Sequence, residues 1–158
     1  MKLDRKGGIS AVIATIIGVV VLTAFFYQFF FMHLDLERYN MMNQYARDVL
    51  LICETKDKIE KDYLLQAKEK LAERIVKKDE EYVKMYIAVN GEQYDVDVMP
   101  QHIQTDFGDD IELLIEYYYQ PQRLSFNNGF VPERAEDKME KMGVRLFTIS
   151  KNRGTSDG

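Results

Sequence analysis

The stretch Tyr82–Pro100, "YVKMYIAVNGEQYDVDVMP", sets the fold class, because the hydrophobic period changes there. Val83, Met85, Ile87 and Val89 alternate with Lys84, Tyr86 and Ala88, and a period of two is that of a half-buried strand. Asn90-Gly91 is a hairpin signal, since both residues tolerate positive φ. Tyr94, Val96 and Val98 then alternate with Gln93, Asp95 and Asp97, so a second strand is expected to run until Pro100 ends it.

Upstream the period is close to 3.6. Asp35–Lys78, "DLERYNMMNQYARDVLLICETKDKIEKDYLLQAKEKLAERIVKK", has neither Pro nor Gly. Tyr39, Met42, Ala46, Val49 and Cys53 recur at spacings of three and four, one face of a helix. The pattern weakens around "CETKD", where Thr55 is placed to cap a new helix. Ile59, Tyr63 and Ala67 continue it, with Leu64, Leu71 and Ile75 beside them. A long stem helix, a turn near 54–57 and a second amphipathic helix to about Lys77 are expected.

Downstream, "IQTDFGDD" reads as a loop and "IELLIEYYYQP" as a third strand with Ile111, Leu113, Ile115, Tyr117 and Tyr119 on one face. "SFNNGFVPE" reads as a loop, "RAEDKMEKMG" as a short helix, "VRLFTIS" as a last strand and "KNRGTSDG" as a tail. Helices followed by three or four antiparallel strands imply an α+β domain with the apolar face of the sheet on the helices.

At the N-terminus, Ile9–Met32 is 24 residues without a formal charge. As a helix it would extend about 36 Å, enough to cross a hydrocarbon core of about 30 Å with some tilt. It is longer than a secretory h-region, and "FFYQFFFMHL" offers no small-x-small cleavage site. Lys2, Arg5 and Lys6 precede it and favour a cytoplasmic N-terminus. Beyond it, 18 Lys/Arg face 25 Asp/Glu. The organisation expected is a basic cytoplasmic leader over 1–8, a transmembrane helix over 9–34, a helical stem over 35–80, a strand-rich extracellular head over 81–150 and a disordered tail over 151–158.

The acidic balance and the lack of a basic stripe interleaved with aromatics argue against a nucleic-acid partner. One cysteine, Cys53, forbids an intrachain disulfide, and its place on the apolar face of the stem reads as a packed thiol. His33 and His102 are the only histidines and lie in different elements, so no zinc site is read. Asp106, Asp109, Asp110 and Glu112 in "DFGDDIE" lack the regular ligand spacing of a calcium loop and read as a solvated turn. Ser10 and Ser125 have no His/Asp partners arranged for nucleophilic catalysis. No cofactor and no catalytic residue is expected, and the chain is read as a non-enzyme.

The layout resembles the TadE-like and type IV pilin-like membrane proteins. "RKGGISAVIATIIGVVVL" is similar to a class III signal, in which a short basic leader and Gly precede an apolar helix that stays in the mature protein. The part "GGISAVIATII" resembles archaeal pilins. "YARDVLLICET", "LLQAKEKLAERI" and "EYYYQPQ" resemble a TadE-related family found on Gram-positive conjugative elements. The resemblance implies a structural component of a pilus, secretion or conjugation apparatus, with processing between Gly8 and Ile9 by a prepilin peptidase. It departs from bacterial pilins at the fifth residue after Gly8, where Ile13 stands in place of Glu.

The partners expected are the lipid bilayer and other membrane or pilin-like subunits, including further copies of the chain. Gly8, Ala11, Ala14 and Gly18 describe a seam for close helix approach. Tyr117, Tyr118 and Tyr119 admit two readings, an aromatic-packed sheet face or a subunit contact. The alternative for the whole chain is a membrane-tethered binding or sensor domain that does not assemble.

Overall fold

A computed structural model describes residues 5–76, 81–125, 131–134 and 139–152, with the backbone alone for 5–9, 122–125 and 131–134. These residues fall into two units, one of Met1–Leu36 with Gln122–Glu136 and one of Glu37–Pro121 with Asp137–Gly158. The architecture is α+β, as the two hydrophobic periods require.

The first unit holds the start of helix α1 (Arg5–Cys53) and a hairpin of β6 (Gln122–Ser125) and β7 (Val131–Arg134). "SFNNGFVPE" is therefore partly strand, since Ser125 pairs with Val131; residues 126–130 lie outside the described residues.

In the second unit α1 continues to Cys53. Met42, Ala46, Val49, Leu50 and Cys53 are buried along one face, while Tyr39 is largely exposed. The helix ends in a tight turn, with Glu54 N–H on Leu50 O and Thr55 N–H on Ile52 O. Thr55 caps nothing downstream, because its hydroxyl donates back to Ile52 O at 3.0 Å. The next residues are strand and not helix: β1 (Lys58–Glu60) pairs antiparallel with β4 (His102–Gln104). Both three-residue strands lie where the sequence reads as helix and loop, and each exists through the other's backbone.

Helix α2 (Lys61–Ile75) starts after Glu60, which makes no side-chain cap. The Lys61 N–H goes instead to Gln101 O at 2.9 Å. Leu64, Ala67, Leu71 and Ile75 are its buried face. Each such side chain taken from water contributes roughly 1.5–3 kcal/mol for the larger aliphatics, which outweighs a missing cap of about 1 kcal/mol.

The main sheet has the order β3-β2-β5-β8, all antiparallel, formed by β2 (Tyr82–Val89), β3 (Glu92–Asp95), β5 (Asp110–Tyr119) and β8 (Glu140–Ile149). Val83, Met85, Ile87 and Val89 face inward from β2, and Ile111, Leu113, Ile115, Tyr117 and Tyr119 from β5. The two rows are in register, with Met85 opposite Ile115 and Ile87 opposite Leu113. Asn90 (φ 52°) and Gly91 (φ 85°) make the two-residue turn between β2 and β3.

Two expectations fail here. β3 stops at Asp95, because its carboxylate takes the Asp97 N–H and its carbonyl takes the Val98 and Met99 N–H groups, curling the chain. Val98 is consequently 80% exposed. The short helix expected over 134–143 is also absent at its C-terminal end, since Glu140–Gly143 are paired with Tyr119–Glu116; residues 135–138 lie outside the described residues. The helix-forming side chains yield to a ten-residue ladder along β5.

Candidate functional site

The features that bear on function are the apolar part of α1 and the aromatic rows of the sheet. Among the described residues one helix, Ser10–Cys53, is long and apolar enough to cross a membrane. Over Ser10–Met32 no residue is fully buried: Val12, Ile16, Val19, Phe25, Phe26 and Phe30 are all more than half exposed, while Val20, Ala24, Tyr27 and Phe31 are partly covered along one face. The two threonine hydroxyls of this segment are satisfied internally: Thr15 Oγ1 donates to Ala11 O at 2.9 Å and Thr23 Oγ1 to Val19 O at 2.8 Å. A backbone with every polar group bonded within the segment meets the demand that a hydrocarbon solvent makes. Ala11, Ala14 and Gly18 are exposed, and a Cβ at Gly18 would meet nothing within 4 Å. Gly8 and Ile9 lie on the helical backbone of α1, and their side-chain surroundings lie outside the described residues. Tyr27 and Phe31 meet edge to face at 4.9 Å.

The three tyrosines separate. Tyr117 and Tyr119 stack at 5.2 Å on the inner face and are buried, so neither can serve as a contact for another subunit. The parity of the strand decides this, since both belong to the row of Ile111, Leu113 and Ile115. Tyr117 Oη donates to Glu81 Oε2 at 2.7 Å, and the Arg38 guanidinium lies 5.8 Å above its ring. Burial first, and then the Glu81 carboxylate, push the Tyr117 hydroxyl above the usual tyrosine range. Tyr118 faces outward. It stacks on Tyr82 at 4.7 Å, and Lys84 Nζ lies 5.8 Å from its ring. Its hydroxyl donates to Glu116, which is also held by Lys141. Tyr82, Tyr118, Lys84 and Lys141 thus form a small aromatic and cationic patch.

Cys53 is buried at 1% exposure, and burial pushes its thiol up to about 12 against the pull of Lys56. A thiol so protonated is a packing group at neutral pH. In the acidic turn, Asp109 takes Asn90 Nδ2 on one oxygen and the Asp106 N–H on the other. These bonds, that of Asn90 first, hold its carboxyl below the usual range and brace the turn against the β2–β3 hairpin. Among the described residues no group of three or more His, Cys, Asp or Glu is placed to hold a metal ion.

Sequence reasoning missed the long-range polar pairs. Glu54, at the end of α1, accepts Lys151 Nζ at 2.8 Å and Thr148 Oγ1 at 2.6 Å. Glu81 meets Tyr117 across 36 residues. Only the inward parity of Tyr117 is a signal for either. Comparison with protein families, with curated proteins and with solved structures finds no match to this chain.

Proposed function

We propose that the chain is a non-enzymatic, single-pass membrane component of TadE-like or pilin-like type, acting structurally in a pilus, secretion or conjugation apparatus. Its N-terminus lies in the cytoplasm and residues 35–158 lie outside. The observation that carries this reading is helix α1 itself. Its apolar side chains from Val12 to Met32 are mostly exposed, and the same unbroken helix supplies Met42, Ala46, Val49 and Cys53 to the core of the second unit. The membrane segment is thereby an extension of the domain's own core helix. Ala11, Ala14 and Gly18, with Gly8, form the seam on which neighbouring membrane helices pack.

Chemical cross-linking in native membranes tests the assembly. A structural subunit gives ladders or a defined set of apparatus partners. A product that stays monomeric identifies the tethered binding or sensor domain, which the Tyr82/Tyr118 patch would suit. Protease added to intact protoplasts should remove the head, whereas digestion only after lysis would reverse the topology. Processing is read from intact mass. Cleavage by a prepilin peptidase yields a chain starting at Ile9, and Gly8→Val blocks it. A mass that retains residues 1–8 in the presence of the active peptidase leaves an unprocessed TadE-like component.

A further inference from the structure

The sheet order leaves β8 flanked on one side only among the described residues, so the direction of its backbone groups matters. Ser150 donates its N–H to Asp109 O at 2.8 Å and accepts the Gly108 N–H at 2.9 Å, and so points toward the β5 side. Alternation along the strand turns Thr148, Leu146, Val144 and Met142 the same way. It turns Lys141, Gly143, Arg145, Phe147 and Ile149 outward, with their side chains exposed on the outer face. Lys151 is next in the outward set. Its N–H is taken by Glu54 O at 2.7 Å, which closes the edge at that end.

The open edge is long and regular. Ten consecutive pairs with β5 leave no bulge, and the strand contains no proline. Of the devices that normally blunt an edge, only the charges Lys141 and Arg145 are seen among the described residues. Beside it lies a hollow of about 340 Å³ lined by Arg47, Leu50 and Leu51 of α1, by Glu54, and by Leu146, Phe147 and Thr148 of β8.

We propose that this edge pairs antiparallel with the β8 of a second copy, with the two-fold axis through Val144. Charge disfavours three neighbouring registers, although Lys141 and Arg145 also hold Glu116 and Glu112 of β5. An axis at Gly143 would place Lys141 opposite Arg145, and an axis at Arg145 would place that residue opposite itself. An axis at Leu146 would set Lys141 against Lys151, whose N–H is already held. Like charges directly opposite destabilise a pair. With the axis at Val144, Lys141 lies opposite Phe147 of the second copy and Gly143 opposite Arg145, and each of these pairs exchanges two N–H···O bonds. On the inner face Met142 of the second copy meets Leu146; both are only half-buried in the single chain. The occupant is a second copy because one strand supplies both complementary halves.

This inference does not rest on the apparatus reading, because the edge belongs to the sheet and not to the membrane segment. Single cysteines are introduced at Gly143, Val144, Arg145 and Leu146 in the full chain in detergent, keeping the buried Cys53 as an internal control. Cα atoms of such a facing pair lie about 4.5 Å apart, within disulfide reach. Val144→Cys should form the disulfide-linked dimer roughly tenfold faster than the other three, given the geometric limits on the bond. No dimer, equal rates at all four positions, or a faster rate at a neighbour overturns the proposal. Phe147 is 68% exposed, so its variants leave the fold intact. Phe147→Lys, set against Lys141, should abolish self-association in sedimentation, and Phe147→Glu should preserve it. Equal behaviour of the two overturns the register.

Discussion

Glu54 and Lys151, 97 residues apart in sequence, hold one another twice: Lys151 donates its backbone N–H to Glu54 O at 2.7 Å and its Nζ to Glu54 Oε1 at 2.8 Å. Thr148 adds a hydroxyl to the other carboxylate oxygen. The end of α1 is tied in this way to the end of β8.

The carboxyl of Glu54 is held below the usual range by the Lys151 hydrogen bond first and that of Thr148 next, against desolvation. The unfolded chain therefore takes up this proton first. The stabilisation is full above the ordinary glutamate value of about 4.3 and is lost as pH falls through the lower folded value. Glu54→Gln should lower the thermal midpoint at pH 7 and flatten its decline below about pH 4.5. Part of the decline remains, since Glu116 and Asp109 are shifted in the same direction. Thermal melts followed by circular dichroism between pH 3 and 7 are the check; parallel curves for the two proteins would count against the clasp.

Tyr117→Phe removes the hydroxyl that Glu81 and the Ile75 carbonyl accept inside the core. Depriving buried acceptors of a donor costs about 1–3 kcal/mol. Tyr118→Phe should cost under about 1 kcal/mol, because Lys141 still holds the Glu116 carboxylate when the hydroxyl is gone. Urea denaturation measures both, and a larger loss at Tyr118 contradicts the assigned faces.

Ile87→Asp buries an unpaired carboxylate at a fully enclosed position and should cost about 4 kcal/mol or more, enough to unfold a marginal domain. Lys84→Asp lies on the outer face opposite Glu116. It introduces a like-charge pair worth about 1 kcal/mol at most. Equal thermal midpoints for the two variants would refute the strand register.

The parts legible in sequence are those whose period is long enough to repeat. Val83 to Val89 and Ile111 to Tyr119 show four and five inward residues, and Asn90-Gly91 fixes the turn between β2 and β3. Met42, Ala46, Val49 and Cys53 do the same for α1. A three-residue strand has no period, so β1 and β4 are invisible until each is seen to complete the other's hydrogen bonds. Val98 continues the alternation of Tyr94 and Val96, but a carboxylate two residues behind Asp97 bends the chain first. Glu140–Gly143 carries helix-forming residues whose preference is overridden by a long partner strand. Pairs such as Glu54 with Lys151 join surface-type residues across the fold, and nothing local distinguishes them from other charges.

The strand order also bears on the timing of synthesis. β8 is made after every strand it must join, and Tyr119 waits for Glu140, about 20 residues later. At a translation rate of about 5–20 residues per second, β5 spends roughly one to four seconds with one edge bare. During that interval a central strand of the sheet, with Ile111, Leu113, Ile115, Tyr117 and Tyr119 on its inner face, is open to whatever the emerging chain meets. Slow translation through residues 122–139 would lengthen that exposure, and fast translation would shorten it.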